Sequence, residues 1–232
     1  MLNKLRSWVN PPPKSTDSDY LRDSFLQHIP RERIDLIVEL GSYDGHDAIM
    51  LRDYFDARVY TFECNPDILR QTRKNLRNKS GITLVEQAAW NENARIPFYP
   101  VTKTIRGNAP HFTRLAASSC YRASRNYLEI NTQRETHVHA IRLDSWCHDH
   151  GIETIDLLCM DIQGAAFPAL QGLGSVLDRV GYMIAEIERK EMYHGETLFP
   201  QINDYLGSHG LSLKEEICRD DWFSDFLFIR EG

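Results

Sequence analysis

Two glycines and three acids in "VELGSYDGHDAIMLRDYFDARVYTFECNPD", residues 38–67, have types and spacing that could do chemistry. An apolar run ending at Leu40 breaks into Gly41 and Gly45, and a second apolar run closes on Glu63. A tight strand-to-helix turn with incidental acids would read this way. So would a nucleoside pocket, because glycine lets a backbone approach a ligand that any Cβ would strike. A dinucleotide fingerprint is G-x-G-x-x-G, and its middle glycine would fall where Tyr43 stands. Pyrophosphate would also be repelled by Glu39 and Asp44 in a partly dry cleft. A cationic, phosphate-free nucleoside tolerates both acids, and S-adenosylmethionine is one. Each of its groups then has a partner. Glu39 and Asp44 face the amino group or the sulfonium, and the amides of the turn Gly41, Ser42, Tyr43 and Gly45 meet the methionine carboxylate. Glu63, with Cys64 beside it, accepts from both ribose hydroxyls, and the backbone of Ala88 and Ala89 borders the adenine.

The elements that must position these residues alternate. Strands are predicted at 34–40, 58–64, 82–90, 155–162 and 182–188, and helices at 47–55, 66–76 (with Pro66 in the first turn), 165–177 and 197–209. "LSLKEEI" and "DFLFIR" close the sheet with one antiparallel C-terminal strand. This predicts an α/β fold, a doubly wound, mostly parallel sheet covered on both faces, with ligands at the carboxyl ends of its strands. Gly41, Glu63, Ala88 and Asp161 all fall at predicted strand ends. Residues 1–30 read as an N-terminal arm and helix, with a linker at "NPPPKSTDS" (10–18) and a helix over 19–28. Residues 31–232 read as one domain, interrupted at about 100–136 by an irregular stretch that is either a functional loop or a disordered one.

Bulk properties narrow the field. The chain has 232 residues, 42% hydrophobic and 26% charged, ordinary for a globular protein. A net charge of -6 argues against a large phosphate-binding surface and makes a nucleic-acid partner unfavourable. No apolar run approaches the roughly 18 residues that cross a bilayer. The first residues lack the apolar core of a secretory signal, so a cytoplasmic setting is the default expectation. Cys64, Cys120, Cys147, Cys159 and Cys218 are scattered and form no C-x-x-C pair, which favours reduced thiols.

"VELGSYDG", "TFECNP", "IDLLCMDIQGAAFPALQGLG" and "AEIERKEMYHGETLFPQINDYLGSHG" together resemble the FkbM family of S-adenosylmethionine-dependent methyltransferases. The resemblance runs from about residue 34 to about 229 and is weakest over 100–136. "MDIQGAAFPALQG" is its most specific block, matching the family's D-[VI]-[EQ]-G-[AS]-E and the apolar helix ending L-x-G, and "LDSW" (143–146) matches its Leu-Asp step. One position departs: Ala166 stands where the family usually has Glu. The resemblance implies a class I methyltransferase fold with Rossmann-like architecture. It also implies O-methylation of a hydroxyl on a sugar, glycan or natural-product acceptor.

Methyl transfer needs the acceptor oxygen aligned and its proton removed. Asp161 is expected beside the transferred methyl, with a helix N-cap as its alternative role. Glu186 and Glu188 are read as alternating across the sheet, so that only one leans to the cleft, and Glu188 is expected nearer. Its alternative is a strand-end acid paired to Arg189 or Lys190. Ser118, Ser119, Tyr121 and Arg122 are suited to grip a polyhydroxylated acceptor, with Tyr193 in the acceptor wall. His137 and His139 share a strand face and "CHDH" (147–150) follows, yet neither spacing matches a closed zinc site, so no metal is expected. "DIQG" is not the [DN]-P-P-[YFW] of amino-methylating nucleic-acid enzymes, and no Pro-Cys nucleophile occurs. A non-catalytic S-adenosylmethionine-binding module is the remaining alternative, to which Ala166 gives some weight.

Overall fold

The computed structural model describes residues 18–104, 115–124 and 131–231. In chain order the elements begin α1 (Asp23–Leu26), β1 (Leu36–Leu40), α2 (His46–Phe55), β2 (Arg58–Phe62), α3 (Leu69–Leu76) and β3 (Ile82–Val85). Next come β4 (Ala88–Trp90), β5 (Ala94–Phe98), β6 (Val101–Thr104), β7 (Asn131–Gln133), β8 (Thr136–Arg142) and α4 (Leu143–Asp149). The chain ends β9 (Ile155–Met160), α5 (Ala166–Gly172), β10 (Val180–Glu188), α6 (Phe199–Ser208), β11 (Leu211–Cys218) and β12 (Phe223–Arg230).

Seven strands form the main sheet in the order β11-β12-β10-β9-β1-β2-β3. The run from β3 to β10 is parallel, and β12 pairs antiparallel with both β10 and β11. The expected single reversed strand is therefore β12. From β1 the chain winds outward to β2 and β3, then returns on the other side at β9. Connections leaving β1 and β9 thus part at their carboxyl ends and open a crevice there.

Both faces of the sheet are covered, which is why its strands are nearly continuous apolar runs. Val38, Leu40, Leu158 and Met160 pack on one face with Trp146 of α4, Leu170 of α5 and Ile202 of α6. Ile37, Leu157 and Cys159 point the other way, toward Phe25, Leu51 and Phe55. Gly172 ends α5 where a Cβ would lie 2.0 Å from the Trp90 carbonyl oxygen. Only glycine lets this helix end press on the β4 backbone.

Several predicted boundaries move. The strand expected over 82–90 is two strands: β3 ends the main sheet, and β4 belongs to a second, three-stranded sheet β4-β8-β5. The polar pair Glu86–Gln87 marks the break, so Ala88 and Ala89 start a strand rather than end one. Helix α3 begins later than expected because Asn65 forms a turn with its own side chain, Oδ1 accepting from the Asp67 amide at 3.0 Å. Pro66 lies in that turn. The helix expected over 19–28 is a 3₁₀ turn at Asp19–Leu21 followed by the single turn of α1. Tyr20, Leu21, Phe25 and Ile29 are buried in the core, so this part of the expected arm is an integral layer. The linker at 10–17 lies outside the described residues, as do 105–114 and 125–130 of the expected insertion. What is described of that insertion pairs β6 with β7 and bridges Tyr99 to Ser119 and Ala123 to Tyr193.

Candidate functional site

The crevice at the β1 and β9 ends is a cleft of about 640 Å³, open solvent included. Leu40, Gly41 and Tyr43 line it from β1, Phe62 to Asn65 from β2, and Gln87 to Ala89 from the start of β4. Asp161, Ile162, Gln163 and Ala165 enter after β9, and Ala116, Ser118 and Cys120 come from the insertion. Its described lining holds two acids, Glu63 and Asp161, and no Lys, Arg or His.

Gly41 adopts φ 92, and a Cβ there would lie 1.9 Å from the Asp161 carbonyl oxygen. The glycine is demanded first by the closure of the two strand ends, where the Asp161 amide donates to the Leu40 carbonyl at 3.0 Å. Tyr43 follows in the left-handed region at φ 51, and its amide donates to Glu63 Oε2 at 2.8 Å. The Asn65 amide donates to Glu63 Oε1 at 2.6 Å. Glu63 is thus aimed by two backbone turns, with acceptor capacity left for a ligand. Burial pushes its carboxyl up to about 7, held back by the amides of Asn65, Tyr43 and Cys64.

Not all of the expected cofactor residues reach the cleft wall. Asp44 opens α2, its Oδ1 accepting from the His46 amide at 3.0 Å, and Gly45 precedes that helix at φ 84. Glu39 is fully buried with its Oε2 accepting from the Thr61 hydroxyl. Burial, then the nearby Asp47, raises its carboxyl to about 8. Glu39 Oε1 and the buried Ser42 hydroxyl have no hydrogen-bond partner among the described residues. Buried polar atoms left this way at a strand end ask for an external partner.

The acids after β9 and β10 are arranged differently from expectation. Side chains two apart on a strand share a face, so Glu186 and Glu188 do not alternate across the sheet. Glu186 joins Asp161: Gln163 Nε2 donates to Asp161 Oδ1 at 2.6 Å and to Glu186 Oε1 at 2.7 Å. Glu188 is buried away from the cleft lining, accepts from the Gly164 amide, and is raised to about 8 by burial and then by Glu196. Glu196 accepts from the amides of Met192 and Tyr193, and is itself raised to about 7 by burial. Ala166, the departure from the family pattern, is a buried core residue at the start of α5.

Among the expected acceptor residues only Ser118 lines the cleft, its Oγ accepting from the Val101 amide at 3.0 Å. Ser119 Oγ donates to the Gln163 carbonyl at 2.6 Å, and Tyr193, fully buried, donates its hydroxyl to Gln163 Oε1 at 2.8 Å. Tyr121 stacks obliquely on Trp90, with ring centroids 5.5 Å apart. Arg122 pairs with Glu135 at 2.8 Å and lies over the Tyr99 ring. These residues latch the insertion onto the turn after β9. Gln163, Phe62, Asn65, Gln87 and Cys120 line the cleft without having been singled out. Asn65 and Gln163 had a readable signal, since each is the polar residue just past a predicted strand-end acid. Among the described residues no group of three or more His, Cys, Asp or Glu side chains could hold a metal ion.

Sequence comparison decides what the cleft belongs to. The methyltransferase FkbM domain matches residues 39–213. The chain belongs to the FkbM methyltransferase family. A curated relative, the 2-O-methyltransferase NoeI of Sinorhizobium fredii (strain NBRC 101917 / NGR234), is 30% identical over 183 residues, covering 76% of this chain and 72% of its own. The Methanococcus jannaschii fibrillarin pre-rRNA processing protein is 15% identical with a TM-score of 0.52, covering 88% of this chain and 70% of that one. The fibrillarin/NOP5P complex gives 11% identity, a TM-score of 0.50, and coverage of 88% and 75%. These two show the fold alone: a class I methyltransferase sheet.

The methyltransferase is S-adenosylmethionine-dependent, and its residues fit that cofactor. Glu63 keeps acceptor capacity that suits a ribose hydroxyl, while the acids of the cleft, with no Lys, Arg or His among its described lining, suit a sulfonium and an ammonium. The unpartnered Glu39 and Ser42 atoms lie on the same strand end. No helix among the described residues is long and apolar enough to cross a membrane.

Proposed function

We propose that the enzyme methylates a hydroxyl oxygen of a sugar-like or other polyhydroxylated small acceptor, with the cofactor held between the turns after β1, β2 and β9. The observation that carries the cofactor half of this reading is the cleft's described lining, with the carboxyl groups of Glu63 and Asp161 and, among the described residues, no Lys, Arg or His. The acceptor half leans on the 2-O-methyltransferase relative and on the polar segment around Ser118 at the same cleft.

When bound, the cofactor supplies a methyl group already activated by its sulfonium. The chain's own residues bind, orient and deprotonate. Glu63 accepts the ribose hydroxyls, the Tyr43 turn and Ala88–Ala89 flank the nucleoside, and Ser118 faces the acceptor. Asp161 lies on the cleft wall and is the group placed to receive the acceptor hydroxyl's proton. Its carboxyl is raised above the ordinary range by its low-dielectric surroundings, which brings a carboxylate closer to the basicity that proton removal needs. Glu188 acts at one remove, holding the Gly164 amide and with it the turn that carries Asp161. The cytoplasm remains the expected setting.

The test pairs binding with turnover. Calorimetry should show S-adenosylmethionine and its demethylated product binding without added metal, and no binding of NAD. Labelled methyl transfer should then appear on oligosaccharides with free hydroxyls and not on RNA. Labelling of RNA alone, or binding without transfer to any hydroxylated acceptor, would overturn the acceptor assignment.

A further inference from the structure

We infer that Gln163 is a positioning residue of this site: its side chain holds the Asp161 and Glu186 carboxyl groups together at the cleft wall, while its main-chain carbonyl holds Ser119. The inference rests on the methyltransferase reading only for what the pair faces.

The hydrogen bonds around Gln163 use both of its donors and one of its two acceptor sites. A primary amide has two N–H donors, and here one goes to Asp161 Oδ1 at 2.6 Å and the other to Glu186 Oε1 at 2.7 Å. The amide oxygen accepts from the Tyr193 hydroxyl at 2.8 Å. That hydroxyl also lies 3.2 Å from the Ala117 carbonyl, and with one proton to give it serves the nearer acceptor. The main-chain carbonyl of Gln163 accepts from Ser119 Oγ at 2.6 Å, and Ser119 Oγ in turn accepts from the Tyr121 amide at 2.9 Å. Turning the amide over would set a carbonyl oxygen against two carboxyl groups, so its orientation is fixed by its neighbours. The backbone of Gln163 sits at φ 50, a region that residues with side chains rarely adopt. Such conformations cluster at functional sites, and the other cleft residue that adopts one is Tyr43, which aims Glu63.

Two carboxyl groups this close cannot both ionise readily, so they titrate as a pair. The groups facing them are acids on every side. Asp47 of α2 and Asp19 of the N-terminal turn act on Asp161, while Glu188 of the same strand and Asp225 of β12 act on Glu186. Arg219 is shared by Asp19 and Asp225. Burial raises both members of the pair. The pair therefore shares one proton, with Asp161 the member on the cleft wall. Gln163 sets that geometry, and through Ser119 it links the acid pair to the segment that borders the acceptor.

The experiment is a pH titration of the ligand-free protein followed by carbon-13 NMR of the side-chain carboxyl groups, with Glu186→Gln and Asp161→Asn assigning the signals. In the wild type both signals should move in both titration steps, with the upper step well above the ordinary carboxylate range. Gln163→Met keeps the length and removes the amide. It should move the titration of the pair upward, because the donors that stabilise both carboxylates are gone. Independent titration of the two groups in the wild type, or a Gln163→Met titration identical to wild type, would overturn the inference. If Gln163→Met does not fold, Gln163→Glu keeps the shape and cannot donate to both acids, and the same titration decides. Failure of the wild type to bind the cofactor would remove the functional reading and still leave the bracket tested, because the titration needs no ligand.

Discussion

Replacing Glu63 by Gln separates a ribose-binding acid from a turn-stabilising one. In the structure the two Glu63 oxygens accept backbone amides, Tyr43 at 2.8 Å on one and Asn65 at 2.6 Å on the other, and the carboxyl keeps acceptor capacity for a ligand. Glutamine turns one of those oxygens into an N–H donor that meets an amide N–H. One ribose hydroxyl then loses its charged acceptor and one backbone amide loses its partner. The loss is about 1.5–3 kcal/mol, or about tenfold to a hundredfold in cofactor affinity. Ionisation adds a second signature. With its carboxyl near 7, Glu63 goes from mostly neutral at pH 6 to mostly ionised at pH 8, so affinity should rise about tenfold over that range in the wild type. The variant should lose that rise. The sign for stability is opposite: a folded-state value above the ordinary carboxyl range favours the fold at low pH, and this contribution fades as pH climbs through about 7. Calorimetry with S-adenosylmethionine and with its 3′-deoxyribose analogue is the assay. The analogue should already bind weakly to the wild type and lose little further in the variant. Equal losses for both ligands would show that Glu63 only holds its turn, and the ribose assignment would fall.

Other substitutions test other parts of the site. Asp161→Asn keeps size and removes charge, and should lower methyl transfer by about 10²–10⁴-fold in single-turnover assays. Glu188→Gln should change turnover much less and raise the melting temperature at pH 9, since the buried Glu188, near 8, costs stability as pH rises through that value. Gly41→Ala should fail to give a cooperative thermal transition, because its methyl would fall 1.9 Å from a backbone oxygen that closes the sheet.

Much of the fold could be read from the sequence because its strands are apolar on both faces and its helices are not. "IDLLCMDI" needs a covered parallel sheet wherever it occurs, and β9 is central. The misplaced elements are those whose pattern was ambiguous or whose partner lay far along the chain. "ITLVEQAAW" reads as one strand by β-propensity, but Ala88–Trp90 pair with β8, whose sequence lies beyond the insertion. The turn Asn65–Ile68 hid inside a helical period because side-chain capping by Asn65 competes locally with the helix.

The site divides along the same line. Glu63, Asp161 and Gly41 were legible because a residue that ends a parallel strand at the switch point has nowhere else to be. Which acid meets which was not, since that depends on contacts between β9, β10 and the insertion. Glu188 seemed nearer the cleft by counting along its strand, yet the sheet sets Glu186 beside Asp161 and turns Glu188 to the Gly164 amide. The result is a strand-end floor where Glu39, Glu63, Asp161, Glu186 and Glu188 all have carboxyl groups raised by burial or by one another. Such a cluster disfavours its own ionisation, and what relieves it is positive charge from outside the chain. A ligand carrying a sulfonium and an ammonium, and no phosphate, supplies that charge where these strands end.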